Sequence, residues 1–179
     1  MANIVGPNGK VALVDEEGRL MAFAVSEPED KHINREGGVH SAYFTETPAG
    51  ANDYFFYIKN TGTTDIFITD VRCSAGAATT IYHESVSGAP SFISEESITT
   101  TNRNLGSPKT LTAQISHDTD ITGLTSDGTL FFEKIVVADA RYKLSTTSNI
   151  IIPQGKAVAF RSTVATPIEC VISIVDGIS

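Results

Sequence analysis

Thr110-Leu111-Thr112-Ala113-Gln114-Ile115 alternates polar and apolar residues one for one, and the chain after it carries short apolar runs at Leu130–Val137, Asn149–Ile152, Ala157–Phe160 and Ile168–Val175. A period of two sends successive side chains to opposite faces of an extended strand. Short strands spaced by polar turns predict an all-β sandwich or barrel. No enzyme motif accompanies the pattern, so function has to be sought in architecture and surface.

Upstream of that stretch the same texture continues. Val39–Phe44, Tyr54–Lys59, Asp65–Cys73 and Thr79–Glu84 read as strands. Asn60-Thr61-Gly62-Thr63-Thr64 between two of them predicts a hairpin. Residues 85–107 are dominated by Ser, Thr, Gly, Pro and Asn, which fits either a long ordered loop or a pair of short edge strands. His117–Gly128 reads as a polar loop, and Thr129–Ala138 as the strongest strand. Val137–Leu144 is the one stretch with the character of a helical turn. Lys156–Ser162 returns after the Pro153-Gln154-Gly155 turn, and Ile168–Val175 closes the chain as a strand tied into a sheet. The economical architecture is an antiparallel β-sandwich of jelly-roll type. No fixed-period repeat points to a propeller or solenoid.

The N-terminal part is different. Val11–Val14 and Leu20–Val25 flank the turn Asp15-Glu16-Glu17-Gly18, where Gly supplies the backbone freedom a short loop needs. The charged segment Glu27–Glu36 follows, and Pro28 bars it from a central strand. The expected division is therefore residues 1–36, an N-terminal arm and hairpin with a charged linker, and residues 37–179, a β-sandwich domain. Within 179 residues this leaves ample length for a core without structural metal or disulfide.

A formal net charge of −8, with Lys31, His32, Arg35 and Arg72 as sparse basic positions, argues against nucleic-acid and membrane-surface partners. Met1–Pro7 has neither the basic nor the apolar region of a secretory signal, so synthesis in a reducing cytoplasm is expected. Cys73 and Cys170 then read as reduced core thiols, a disulfide between them being the other possibility.

Candidate chemistry is thin. The chain has no nucleophile elbow, P-loop, His-Glu-x-x-His or paired CxxC, so no enzymatic activity and no cofactor are expected. His32, His40, His83 and His117 fall one per segment and are expected at surface or edge positions. Asp118 and Asp120 alternate, with Asp127 downstream, as solvated turn carboxylates or a cation site. Tyr54-Phe55-Phe56-Tyr57 is either a central strand covered on both faces or a strand with one face on a neighbouring subunit, where aromatics anchor interfaces. The Glu27–Glu36 segment is either a connector or a docking element whose Lys31 and Arg35 make cross-subunit ion pairs.

Three stretches carry a resemblance. They are Thr101-Asn102-Arg103-Asn104-Leu105-Gly106-Ser107, the Ile150–Gly155 strand end, and the closing Ile168–Val175. With the opening Val11–Leu20, they make the chain resemble small virion structural proteins of tailed bacteriophages, which include capsid decoration (cement) proteins and head or tail appendages. The resemblance implies a β-rich, homotrimeric, non-enzymatic building block. The expected role is decoration of the outer capsid surface, where the chain binds the major capsid protein and stabilises the head. The alternative is a tail, baseplate or fibre module that binds a host receptor or saccharide, which the lack of Trp disfavours. A metal-dependent enzyme of the double-stranded β-helix kind is disfavoured by the absence of His-x-His spacing. The residues expected at interfaces are Val11, Leu13, Leu20, Phe23, Lys31, Arg35, Phe55, Tyr57, Asn102 and Asn104.

Overall fold

The structure is a computed structural model that describes residues 2–5, 11–14, 20–21, 37–136, 138, 142–144 and 150–177. Two compact units divide the chain, residues 1–32 and 33–179. In the first, β1 (Ala2–Val5), β2 (Val11–Val14) and β3 (Leu20–Met21) form a three-stranded antiparallel sheet in that order. The β2–β3 pairing, Leu13 opposite Met21 and Val14 opposite Leu20, is the hairpin expected there.

The second unit is a two-sheet antiparallel sandwich. Its strands are β4 (Val39–Glu46), β5 (Tyr54–Asn60), β6 (Ile66–Ala75), β7 (Thr79–Ser91), β8 (Glu96–Ser97), β9 (Thr101–Asn102), β10 (Ala113–His117), β11 (Thr122–Val136), β12 (Tyr142–Leu144), β13 (Ile150–Ile152), β14 (Ala157–Ser162) and β15 (Ile168–Asp176). One sheet runs β11-β7-β14-β5-β10-β8; the other runs β12-β6-β15-β4-β9, with β13 also pairing β6. The two short strands in residues 85–107 are thus edge strands, one on each sheet.

Alternation explains the second sheet. On β15, Ile168, Cys170 and Ile172 are buried while Val171 faces out. A bulge between Ser173 and Ile174 then resets the register against β6. The inward residues meet Ala42 and Phe44 of β4, Ile66, Ile68 and Val71 of β6, and Ile58, Val158 and Phe160 of the first sheet in one core. The first sheet is covered on its other face too. There Tyr57, Val86, Ile121, Ala157 and Ala159 form a second cluster, closed by Tyr54, Phe92 and Leu124. That is why Ala157–Phe160 is an unbroken buried run rather than an alternating one.

Three expectations are corrected. Tyr54–Lys59 and Asp65–Cys73 are strands, but they lie in different sheets and form no hairpin. The connection is an arch held by buried Asn60, whose Nδ2 donates to Thr64 O and Ile152 O, both at 2.8 Å, while its Oδ1 accepts from the Gly62 N–H. Gly and Asn serve an arch as readily as a hairpin, so turn chemistry alone cannot choose between them. Residues 117–128 are not a loop throughout: His117 ends β10, and β11 already begins at Thr122. The polar Thr122–Gly128 segment pairs with the end of β7, and in that ribbon Gly88 and Gly123 have positive φ and face each other's strand so closely that a Cβ on either would strike backbone carbonyl oxygen. Finally, Tyr142–Leu144 is strand paired with Val71–Cys73, not helical turn; Val137 and residues 139–141 lie outside the described residues.

Candidate functional site

The inner face of the first sheet carries a row of rings. His117 on β10 sits opposite Phe56 on β5, Phe56 opposite Phe160 on β14, and Phe160 opposite His83 on β7. Phe56 and Phe160 lie 4.6 Å apart, and His83 stacks on Phe160 at 3.8 Å. Phe44 of the opposing sheet stacks on Phe56 at 5.0 Å and on His117 at 5.2 Å. The row therefore joins the two sheets.

This overturns the surface placement of the histidines. His40, His83 and His117 are all buried, and His32 lies outside the described residues. Burial drives His83 down to about 3, so it is a neutral ring in the core. Burial lowers His40 as well, with Asp176 opposing, and its Nε2 has no hydrogen-bond partner among the described residues. His117 has a different role. Its Nδ1 lies 2.7 Å from Glu46 Oε2 on the opposite sheet, and its Nε2 lies 3.4 Å from Glu96 Oε2 on β8. The sequence reading placed His40 and His83 in strands without telling which face they take, and placed His117 in a loop that the structure shows to be the end of β10.

On the outer face of the first sheet, three strands contribute to a polar cluster. Arg161 donates from Nε at 2.9 Å and Nη2 at 2.7 Å to Glu84 Oε1, and from Nη1 to Asn52 Oδ1 at 2.9 Å. Tyr54 Oη donates to Glu84 Oε2 at 2.7 Å. The guanidinium also covers the Tyr82 ring at 4.1 Å. Burial pushes the Glu84 carboxyl up, but the Arg161 and Tyr54 bonds outweigh it and the group lies below the usual range. Burial and then Glu84 push Tyr54 up to about 12. The cluster satisfies itself and locks β5, β7 and β14 together.

The Asp118 loop is likewise a clamp. One carboxylate oxygen accepts from the N–H groups of Ile93 and Ser94, and the other from the Thr119 N–H. Burial raises Asp118, but these backbone donors outweigh it and hold the group below its ordinary range. Asp120 moves the other way, raised by burial and then by Asp53 and Asp118. Among the described residues, no group of three or more His, Cys, Asp or Glu side chains is placed to hold a metal ion. Asp118 is therefore not a solvated turn carboxylate; it fixes the loop that caps Tyr57 through Phe92, a ring pair at 6.5 Å.

The residues expected at interfaces separate into three groups. Phe55 and Tyr57, 0% and 1% exposed, are covered by their own domain on both faces and offer no area to a neighbour; the covered-strand reading describes them. Asn102 and Asn104 stitch their own loop. Asn102 Nδ2 donates to Gly37 O and Lys109 O, its Oδ1 accepts from the Asn104 N–H, and Asn104 Oδ1 accepts from the Gly106 N–H. Val11, Leu13 and Leu20 lie on β2 and β3, whereas Phe23, Lys31 and Arg35 lie outside the described residues. Among the exposed apolar groups are Leu105 at the tip of the Asn-stitched loop, 89% exposed, Ile93 on the Asp118-clamped loop, 74% exposed, and Tyr43 with its cross-strand partner Val171 on the second sheet. Leu105 is a lone apolar residue in a polar loop, and the others sit beside apolar neighbours, so no pattern in the sequence marks them as exposed. Comparison of the chain with protein-family models, curated proteins and solved structures returns no match.

Proposed function

We propose that this chain is a structural protein of a tailed-bacteriophage particle, a decoration protein that attaches as a homotrimer to the major capsid protein on the outer surface of the head. The observation that carries the reading is the division into a separate β unit, residues 1–32, and a sandwich of residues 33–179. Two bodies on one chain let one seat on the shell while the other meets neighbouring copies. Area buried across several subunit boundaries then raises the free energy needed to separate them.

The strand order supports a jelly-roll form of the sandwich. Counting β4, β5, β6, β7, β11, β13, β14 and β15 as the principal strands, one sheet reads first, eighth, third, sixth and the other second, seventh, fourth, fifth. Two interleaved Greek keys give that order. Hydrogen-bonded loops that present Ile93 and Leu105 to solvent supply apolar contact points on a surface otherwise rich in Ser and Thr.

The test uses shells assembled from the major capsid protein of the same virus without this chain. The full-length protein is expected to co-sediment with them, and light scattering of the free protein is expected to give the mass of three chains. Deleting residues 2–32 is expected to abolish co-sedimentation while the β-sheet circular dichroism persists. A full-length protein that stays in the supernatant, or a deletion that binds as well as the parent, contradicts the reading.

A further inference from the structure

Cys73 on β6 and Cys170 on β15 are direct partners in the antiparallel register of the second sheet, and their sulfurs lie 2.7 Å apart as free thiols. We propose that this pair is a redox-closable cross-strand lock, a site at which hydrogen peroxide makes an intramolecular disulfide. Three observations meet there. Residues directly opposite in an antiparallel pair have Cα atoms about 4.5–5.5 Å apart, inside the span of about 4.4–6.8 Å that a disulfide bridges. Both side chains point into the core between the sheets, so their sulfurs already face each other. And β15 is a central strand, hydrogen-bonded to β4 on its other side, so a bond here ties the closing strand to one formed 97 positions earlier.

The step balances without any group from the rest of the protein. One cysteine sulfur attacks a peroxide oxygen, the O–O bond breaks, water leaves and a sulfenic acid forms. The partner sulfur then attacks the oxidised sulfur, the S–S bond forms and the hydroxyl leaves with the partner's proton as a second water. The two cysteines lose two electrons and two protons, and the peroxide is reduced.

Access controls the rate. Cys73 is 2% and Cys170 0% exposed, and burial followed by the neighbouring Cys73 raises the Cys170 thiol well above its ordinary value. The folded pair is therefore protected, and an oxidant reaches it when β6 and β15 part. A reducing compartment keeps the thiols, and an oxidising one closes the lock.

The experiment incubates the full-length protein with hydrogen peroxide at rising, sub-denaturing urea, then counts thiols in denaturant and maps peptides without reductant. The expected product has lost two hydrogens, has no titratable thiol and yields one linked peptide pair containing Cys73 and Cys170. It is expected to form faster as urea rises, to melt at a higher temperature than the reduced protein, and to revert with dithiothreitol. The variants Cys73→Ala and Cys170→Ala, which lack the resolving thiol, are expected to give no linked peptide pair and no gain in thermal stability. Two thiols still free after peroxide, oxidation that stops at sulfinic or sulfonic acid, or a disulfide found only between chains would overturn the proposal.

Discussion

His83 shows how one side chain ties stability to pH. It is neutral in the fold, with its pKa brought down to about 3 by burial against Phe160, whereas an exposed imidazole titrates near 6.5. Above about pH 6.5 both folded and unfolded chains carry a neutral ring, and the shift costs nothing. Between about 6.5 and 3 the unfolded chain takes up a proton that the folded chain refuses, so stability falls as pH falls, by at most about 1.4 kcal/mol per pH unit. His40 acts with the same sign. Urea unfolding at pH 7 and pH 4.5 is expected to show a marked loss at the lower pH, and His83→Leu is expected to flatten that dependence. An unchanged slope in the variant would remove His83 as its source. Arg161 offers a second test at this scale. Removing it in Arg161→Ala leaves the nearly buried Glu84 carboxylate without its two-pronged partner, at an expected cost of about 3 kcal/mol measured by urea unfolding. Arg161→Lys is expected to recover only part of this, because an ammonium cannot make the same fork or cover Tyr82 as a plane.

Among the elements, what could be read from sequence follows the physics of each strand. Val39–Phe44, Thr79–Glu84, Ile150–Ile152, Lys156–Ser162 and Ile168–Val175 were legible because β-branched and aromatic residues sit in short runs bounded by turn residues. Partner choice was not. The Asn60–Thr64 turn carries the residues of a hairpin, but its two strands complete opposite sheets, a fact held in Asn60's contact with Ile152, 92 positions away. The polar start of β11 was illegible for another reason: an edge ribbon in which only Leu124 between Thr122 and Gly128 packs inward has no apolar alternation to display. The candidate site was less readable still. Phe55 and Tyr57 have the composition of interface anchors, and only their packing shows that they are core: Phe55 lies between the sheets with Phe44 and Phe160, and Tyr57 lies under the loop that carries Phe92. That loop depends on Asp118. Asp118→Ala is expected to cost about 1–2 kcal/mol and to speed amide exchange at Ile93 and Ser94 before any change at β14. Unaltered exchange at those two amides would mean that the clamp does not hold the loop.

For the whole molecule, the described parts distribute their polar chemistry inward. Glu84 and Arg161, Asp118, Asn60 and His117 each bind their own chain, joining strands, loops or sheets. The described residues present a small N-terminal β unit, a sandwich, and hydrogen-bonded loops tipped by exposed Ile93 and Leu105. The function proposed for this molecule is to add contact area to something larger, by attachment to a capsid shell. The direct measurement is a cryo-microscopy difference map between particles made with and without this chain. The account predicts added density of three copies per cluster on the outer face of the head, in contact with the major capsid protein. Density confined to the tail or baseplate, or particles identical with and without the chain, would contradict it.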